Sequence, residues 1–571
     1  MATKFLPLSP IEMPPDWQGQ VDIVLITGDA YVDHPSFGVA VIGRVLEHHG
    51  FRVGIIAMPD WKNPSSITIF GKPRLCFGIT SGNVDSMLSR YTAFKRYRSD
   101  DPYAPGGEAG HKPERAVIVY CNLVKSVYKD VPIVIGGIEA SMRRVVHYDF
   151  WSDRVRRSIL EDSRADILVY GMGEEAIVTI AERLADGASL IGIPGTVIMS
   201  REIPPGATIL PSEEDAMASP ESLLEFYRLF YRHQHRVLAQ PAGKRYLIHY
   251  PPAELNSERL DGIYELPFVR RPHPSYEKSI PAFEMIRHSI TAHRGCVSGC
   301  SFCSLTLHQG KKITSRGQES ILREVKKIAA APDFKGHITD IGGPSANNYA
   351  FGCRIQWRCP RESCTFPALC PNLEFGTTAW IELLEKASQI PGVKQVTVGS
   401  GIRYDLFMRD PAAKTLLKKL LAHHVSGQLK IAPEHTTPTV LRAMRKLPLI
   451  ELNEFICTFR TVNESLGKRQ HLLPYLMSCH PGTCLQDMKT MVREILSSFE
   501  FVPEQVQAFI PLPMTLASII YYTKIDPLTG EKFYVARSSA ERRQQHDVFF
   551  KRVTRTVKHR IDARRPVKRK K

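Results

Sequence analysis

Short apolar runs alternate with amphipathic stretches through the first 275 residues of the chain. VDIVLITGDA (21–30), FRVGIIAMP (51–59), RLCFGIT (74–80), VPIVIGG (131–137) and ADILVYG (165–171) read as strands. GVAVIGRVLEHHG (38–50) has helical spacing and stops at a Gly; GEEAIVTIAERLADG (173–187) opens with two acids and closes with Gly, both helix signals. Buried apolar strands alternating with helices predict a doubly wound parallel sheet. The loops after such strands are where ligands gather. Here they carry Gly28, Asp29, Asp33, His34, Ser36 and Gly38, then Gly136, Gly137 and Glu139, then Gly171, Gly173, Glu174 and Glu175. The same residues also suit plain strand-to-helix turns. There is no GxGxxG after the first strand, so a nicotinamide-binding fingerprint is absent.

Residues 201–285 are poorer in strand signals and rich in Pro. PESLLEFYRLFYRHQHRVL (220–238) is a helix with Pro near its start, and 266–284 reads as an extended linker. From Met285 a second α/β rhythm begins, with candidate strands SITAHRG, HITDIGG, KQVTVGS, QLKIAPE, YLMSCHP and QVQAFIP. The pattern divides the chain into an N-terminal α/β domain at 1–275, a second domain at 282–515 and a C-terminal extension at 516–571.

Composition changes this picture in two places. The 571 residues carry a net charge of +17, but residues 537–571 hold 14 Lys and Arg against 3 Asp and Glu. The body is therefore ordinary and the tail, ending KHRIDARRPVKRKK, is basic. A solvated tail is the plain reading, and phosphate-backbone binding is the alternative. No apolar stretch reaches about 18 residues, so no membrane span is expected. The start, MATKFLPLSPIEMPPDW, resembles neither a secretory signal nor a transit peptide, so the cytoplasm is the expected compartment.

Cysteine placement is the stronger signal. Of 12 cysteines, seven fall between Cys296 and Cys370. In a reducing compartment such clustering points to metal rather than disulfides. RGCVSGCSFCSL places Cys296, Cys300 and Cys303 as C-x3-C-x2-C, with Gly295 and Gly299 letting the backbone fold closely. Three thiolates on one tight loop suit a 4Fe-4S cluster with one iron left open. A structural zinc site using the three Cys with His293 or His308 is the alternative. Cys353, Cys359, Cys364 and Cys370 form a second group, spaced C-x5-C-x4-C-x5-C. An auxiliary Fe–S cluster, a structural Zn, or simply free thiols would suit it. Cys479 and Cys484, in SCHPGTC, read as core packing.

C-x3-C-x2-C with Phe302 before the last Cys resembles the radical S-adenosylmethionine (SAM) superfamily. The resemblance implies a partial (β/α) barrel in which SAM binds the open iron and is cleaved reductively to a 5′-deoxyadenosyl radical. It implies further that Gly342 and Gly343, in DIGGPSANNY, contact the SAM amine through their backbone, although Pro344 stands where many members have Glu. By the same resemblance, Ser400, Arg403 and Glu434 lie at strand ends as candidate SAM-binding residues. More widely, GDAYVDHPSFG, GGIEASMRRVVHYDFWSDRVRRSIL, HRGCVSGCSFCSLTLHQG and LMSCHPGT resemble the YgiQ-type radical SAM proteins, a family of unassigned function. An electron donor of flavodoxin or ferredoxin type is then the implied partner. LKIAPEHTTPTVLRAMRK and QAFIPLPMT resemble methylthiotransferases that act on tRNA or protein, so RNA or protein is a candidate substrate. The N-terminal sheet resembles cobalamin-binding domains, but the lower-ligand pattern DxHxxG is absent, so cobalamin is not expected and a substrate or partner platform is. The rival function is a non-enzymatic, zinc-containing nucleic-acid-binding protein.

Overall fold

The computed structural model describes residues 4–356, 359, 361–448, 450–499 and 506–550. Of the basic segment singled out above, residues 551–571, with the KHRIDARRPVKRKK end, lie outside the described residues.

The N-terminal unit is built on a nine-stranded sheet. Its strands are β1 (Ile23–Thr27), β2 (Val53–Ala57), β3 (Cys76–Thr80), β4 (Ile133–Ile135), β5 (Ile167–Val169), β6 (Thr196–Ser200), β7 (Thr208–Ile209), β8 (Leu238–Ala242) and β9 (Arg245–His249). Their order is β7-β8-β9-β6-β5-β4-β3-β1-β2. The five strands β2-β1-β3-β4-β5 are parallel. This is the flavodoxin-like order, whose ligand crevice opens between β1 and β3. Alternation within each strand explains why all five read as apolar throughout. Val24, Ile26, Phe77, Ile79, Ile133 and Ile135 pack on one face with helix Ala116–Val127. Ile23, Leu25, Ile55, Val134 and Ile167 pack on the other with helices Gly38–His48 and Glu174–Ala185. A strand covered on both faces has no polar side to display.

The sheet then departs from the expected all-parallel pattern. β6 runs antiparallel to β5, and the hairpin β8–β9 extends the sheet beyond β6. Sequence reading missed this hairpin because Pro241 and Gly243 sit in it. Pro241 is tolerated because β7 pairs only with Leu238 and Ala239, so no ladder bond needs its missing N–H. The stretch expected as a linker is docked as well: Arg271–Pro272 pairs with Val32–Asp33, and the Tyr31 N–H donates to the Tyr276 hydroxyl at 2.8 Å.

The second unit is a partial (β/α) barrel. Ser289–Thr291, His337–Ile338 with Asp340–Gly342, Gln395–Val396, Gln428–Glu434, His471–Ser478 and Val506–Ala508 follow in chain order. Consecutive strands join in parallel, with Ile402 and Ile431 bridging the middle. Helices between them bury one apolar stripe each. In Gln318–Ala329 it is Ile321, Val325 and Ile328, spaced for one helix face. They pack around Trp380, whose Nε1 donates to the Ile341 carbonyl at 3.1 Å. Helix Leu516–Thr523 then returns to the N-terminal unit, adding Leu516 and Ile519 to its core. Among the described residues no helix is long and apolar enough to cross a membrane.

Several polar loop residues of the sheet prove to be structural. Asp29 accepts from Lys112 at 2.6 Å and from the Asn83 N–H at 2.6 Å, all but sealed from solvent. Asp33 binds Arg44, and its Oδ2 also accepts from the Val269 N–H. His34 Nδ1 accepts from the Ser36 N–H at 3.1 Å. Glu139 takes the N–H groups of Ser86 and Val117, while Arg143 binds Asp85 beside it. Replacing Arg143 by Met strands two buried carboxylates, which costs about 3–5 kcal/mol. Arg143→Met is therefore expected to melt several degrees below wild type by calorimetry; an unchanged melting temperature would refute this role.

Candidate active site

The Cys loop follows strand His293–Arg294, which pairs with Thr314–Ser315. Its sharp path depends on two glycines. Gly295 (φ +91°) has no room for a side chain against the Lys312 carbonyl. Gly299 (φ +61°) would press a Cβ to 2.7 Å from the Glu362 oxygen. Both sit in the left-handed region, where a Cβ is costly.

The loop is braced from several distant segments. The Cys296 N–H donates to Gly310 O at 3.1 Å, and Val297 O accepts from the Cys364 N–H at 2.9 Å. Ser298 O takes the hydroxyls of Ser363 and Thr365. Ser301 donates its N–H to Met444 O (3.0 Å) and its hydroxyl to Ala443 O (2.6 Å) at the end of helix Pro438–Met444. Its carbonyl accepts from the Ala517 N–H at 2.8 Å. Phe302 packs edge-on to His480, ring centres 5.8 Å apart.

The thiols of Cys296, Cys300 and Cys303 lie within electrostatic reach of one another and of Glu434. Burial pushes the Cys300 thiol up, against the pull of Lys446 and Arg403. Burial also pushes Cys303 up, and the two neighbouring thiols add to it. Thiols so placed favour release of their protons to a cation rather than to water. Among the described residues no three His, Cys, Asp or Glu side chains stand close enough to hold a single metal ion.

The expected SAM-binding residues gather at the carboxyl ends of the barrel strands, where α/β barrels place their chemistry. Gly342 and Gly343 end Asp340–Gly342, and a Cβ on Gly343 would stand 2.6 Å from the His293 ring. Ser400 reaches Asp340 Oδ1 with its N–H (3.1 Å) and hydroxyl (3.2 Å). Arg403 is buried and holds Asp405 through Nε (2.7 Å) and Nη2, and Ser298 of the Cys loop through Nη1. Burial opposes its charge, but Asp405 and the thiols of Cys300 and Cys296 raise its pKa. Arg403 thus positions the loop through Ser298. Glu434 sits at φ +66°, a strained conformation for a non-glycine residue, past a register shift in Gln428–Glu434. Burial raises its carboxyl, while Lys446 and Arg403 pull it down.

Sequence reading missed Lys446 and the orphaned state of His293. Lys446 is buried, donates to the Ala432 carbonyl and acts on Cys300. His293 is buried with neither ring nitrogen partnered among the described residues, and burial holds it neutral at about 4. A Lys beyond a helix carries no local signal, and a His next to a motif carries only a faint one. His308, the other histidine named for a zinc reading, has Nδ1 3.0 Å from the Ser141 hydroxyl.

In the second cysteine group, Cys364 and Cys370 lie in an apolar cluster with Val297, Leu373 and Leu406. Cys353 and Cys359 are half-buried, and Cys359 Sγ accepts from Lys311 at 3.2 Å. The four remain within electrostatic range at Cys364. Cys479 is buried and bonded to the Arg542 carbonyl at 3.1 Å, and Cys484 caps helix Leu485–Ser498.

Two cavities flank the Cys loop where the units meet. One, ≈700 Å3, is lined by Thr27, Thr80 and Gly136 at the sheet's carboxyl edge and by Gly342 and Gly343 opposite. The other, ≈460 Å3, runs from Arg144 to Cys300 and Cys303. Between them Arg294, two residues before Cys296, pairs with Glu174 at 2.6 Å.

Residues 5–289 match the family model described as Radical SAM N-terminal. A UPF0313 protein of Methanocella arvoryzae is 47% identical over 535 residues, covering 91% of this chain and 89% of the relative. Another, from Clostridium botulinum (strain 657 / Type Ba4), is 45% identical over 561 residues, covering 95% and 87%. The radical SAM methyltransferase TsrM from Kitasatospora setae, solved with tryptophan substrate and a SAM analogue, matches the fold with TM-score 0.50. It is 14% identical and covers 86% of this chain and 75% of its own. The class is thus radical SAM. The chain belongs to the UPF0313 family of uncharacterised proteins.

Gly299→Ala, with φ +61° and the Glu362 carbonyl oxygen in the way, is expected to keep the far-UV spectrum and, on the 4Fe-4S expectation for Cys296, Cys300 and Cys303, to take up much less iron than wild type on anaerobic reconstitution. Wild-type iron content in this variant would show that the loop path does not govern the site.

Proposed function

We propose that the chain is a radical SAM enzyme whose Cys296, Cys300 and Cys303 hold a 4Fe-4S cluster. The observation that carries this reading is a glycine-bent loop, braced by residues 310, 363–365, 443–444 and 517, that holds Cys300 and Cys303 within electrostatic reach of each other, of Cys296 and of Glu434, with Arg403 and Lys446 beside Cys300. When bound, the reduced cluster would supply the one electron that splits the sulfonium carbon–sulfur bond of SAM into methionine and a 5′-deoxyadenosyl radical for hydrogen abstraction. The chain's own residues do the positioning. Arg403 and Lys446 offset negative charge at the thiolates. The backbone of Gly342 and Gly343, which carry no side chain of their own, offers the SAM amine its contacts, with Ser400 next to Gly342 and Glu434 at the end of its own strand. The N-terminal sheet presents substrate across the cavities at its carboxyl edge and excludes water there. An external donor of flavodoxin or ferredoxin type supplies the electron. The division at 1–275, 282–515 and 516–571 remains the working one, and RNA or protein remains the candidate substrate.

TsrM has also been solved with cobalamin and a [4Fe-4S] cluster bound. In this chain Asp33 and His34 are adjacent, which is not the DxHxxG spacing; Asp33 is bound by Arg44, and His34 accepts from the Ser36 N–H through Nδ1 while its buried Nε2 has no partner among the described residues. The residues therefore offer no lower ligand of that pattern, and the reading assigns the sheet to substrate.

The test is EPR on anaerobically reconstituted, dithionite-reduced protein, grown with and without cobalamin. A 4Fe-4S signal that changes on adding SAM, no stoichiometric corrinoid, and loss of 5′-deoxyadenosine production in Cys300→Ala are expected. A second, SAM-insensitive signal would assign an auxiliary cluster to Cys353, Cys359, Cys364 and Cys370. Stoichiometric zinc without iron would overturn the enzyme reading in favour of the zinc-containing nucleic-acid binder.

A further inference from the structure

Arg143 and Arg144 are neighbours in the chain and both are buried, yet they differ in one respect. Arg143 is bound by Asp85 with Glu139 close by. Arg144 has no carboxylate partner among the described residues. Its Nε donates to His249 Nε2 at 2.9 Å and Nη1 to the Ser141 carbonyl at 2.6 Å. Its guanidinium lies 4.6 Å from the Tyr170 ring centre and 5.6 Å from that of Phe230. His249, stacked on Tyr170, is held neutral by burial and by Arg144 itself.

A guanidinium cannot shed its proton to escape burial. A buried charge without a counter-charge is costly. Hydrogen bonds and ring faces soften that cost without supplying an anion. Arg542 is the instructive contrast: it too lacks an acid partner, but carbonyls of Phe509 and Ala93 and the Tyr521 hydroxyl take its Nη groups, and it lines neither cavity. Arg144 lines the ≈460 Å3 cavity, a volume that suits a small metabolite or the end of a larger one.

The carboxylates on the cavity wall are engaged elsewhere. Glu174 binds Arg294 (2.6 Å), Glu175 binds Arg259 (2.6 Å), Glu254 faces Lys312 (3.5 Å) and Glu362 accepts from Gln234 (2.8 Å). The far wall is formed by Cys300, Cys303 and the helix Leu305–Gln309 that follows them.

We propose that Arg144 anchors an oxyanion, the carboxylate or phosphate of the substrate, in the cavity beside the cluster loop. The planar fork of Arg suits either group, and enclosure strengthens the charge-assisted bonds. Tyr170, Phe230 and His249 fix the fork before the ligand arrives. This deepens the radical SAM reading by naming a substrate class, and it rests on that reading for the word substrate.

The experiment is calorimetric titration of the reconstituted protein with orthophosphate and, separately, with succinate, in chloride buffer without SAM or reductant. Saturable binding of one probe is expected, weakened about tenfold or more in Arg144→Met and less in Arg144→Lys, with melting temperatures no lower than wild type. The probe that binds distinguishes phosphate from carboxylate. No saturable binding of either below about 10 mM, or equal binding in wild type and Arg144→Met, would overturn the proposal. If the Met variant does not fold, the Lys variant decides by the same comparison; if neither folds, Arg144 is a packing cation and the proposal falls. The titration involves no turnover, so a protein that binds the oxyanion but makes no 5′-deoxyadenosine refutes the radical SAM reading alone.

Discussion

The structure depends on holding one short loop with almost no bonding of its own. Between Cys296 and Cys303 the backbone closes a single internal bond, from the Cys303 N–H to Cys300 O. Buried N–H and C=O groups must still find partners. Those partners come from residues 310, 363–365, 443–444 and 517, spread over more than 200 positions of chain. The loop therefore forms only when the barrel, the second cysteine segment and the returning C-terminal helix are all in place. That requirement gives the segment around Cys364 a role independent of any metal.

Electrostatics reinforces the same geometry. Three thiols and Glu434 share an enclosed region with Arg403 and Lys446. Arg403 is itself held by Asp405, so the cation nearest the loop is fixed before anything binds. Burial raises the Cys300 and Cys303 thiols and the Glu434 carboxyl together, and release of the thiol protons to a bound cation relieves the thiols. The strain at Glu434 fits a residue whose orientation is imposed by its surroundings rather than by its own backbone preference.

What the sequence made legible follows from how local each signal is. The parallel strands could be read because both of their faces are buried, leaving uninterrupted apolar runs such as Ile23–Thr27. The Cys loop could be read because its spacing is itself the chemistry. The β8–β9 hairpin could not, since Pro241 is a breaker everywhere except near a sheet edge like this one. Asp29, Asp33 and Glu139 looked equally suited to ligands and to turns. Only their partners Lys112, Arg44 and the N–H groups of Ser86 and Val117 decide the matter, and those lie 11 to 83 residues away. Lys446 escaped notice because a helix separates it from its strand, and the contrast between Arg143 and Arg144 has no expression in the dipeptide itself.

The two units are joined at the Cys loop itself. Arg294 enters the Cys loop two residues before its first thiol and is tied to Glu174 at the start of helix Glu174–Ala185, which follows β5. His308, five residues beyond the last thiol, faces Ser141, whose hydroxyl also accepts from the Gly171 N–H. Both ends of the cluster loop are thus fastened to the edge of the N-terminal sheet where open α/β sheets bind ligands. Arg144 bonds the carbonyl of that same Ser141. Arg144 is thus linked through Ser141 to His308 and the helix following Cys303 by directly bonded groups, so the wall of the ≈460 Å3 cavity and the Cys loop are set by one set of contacts.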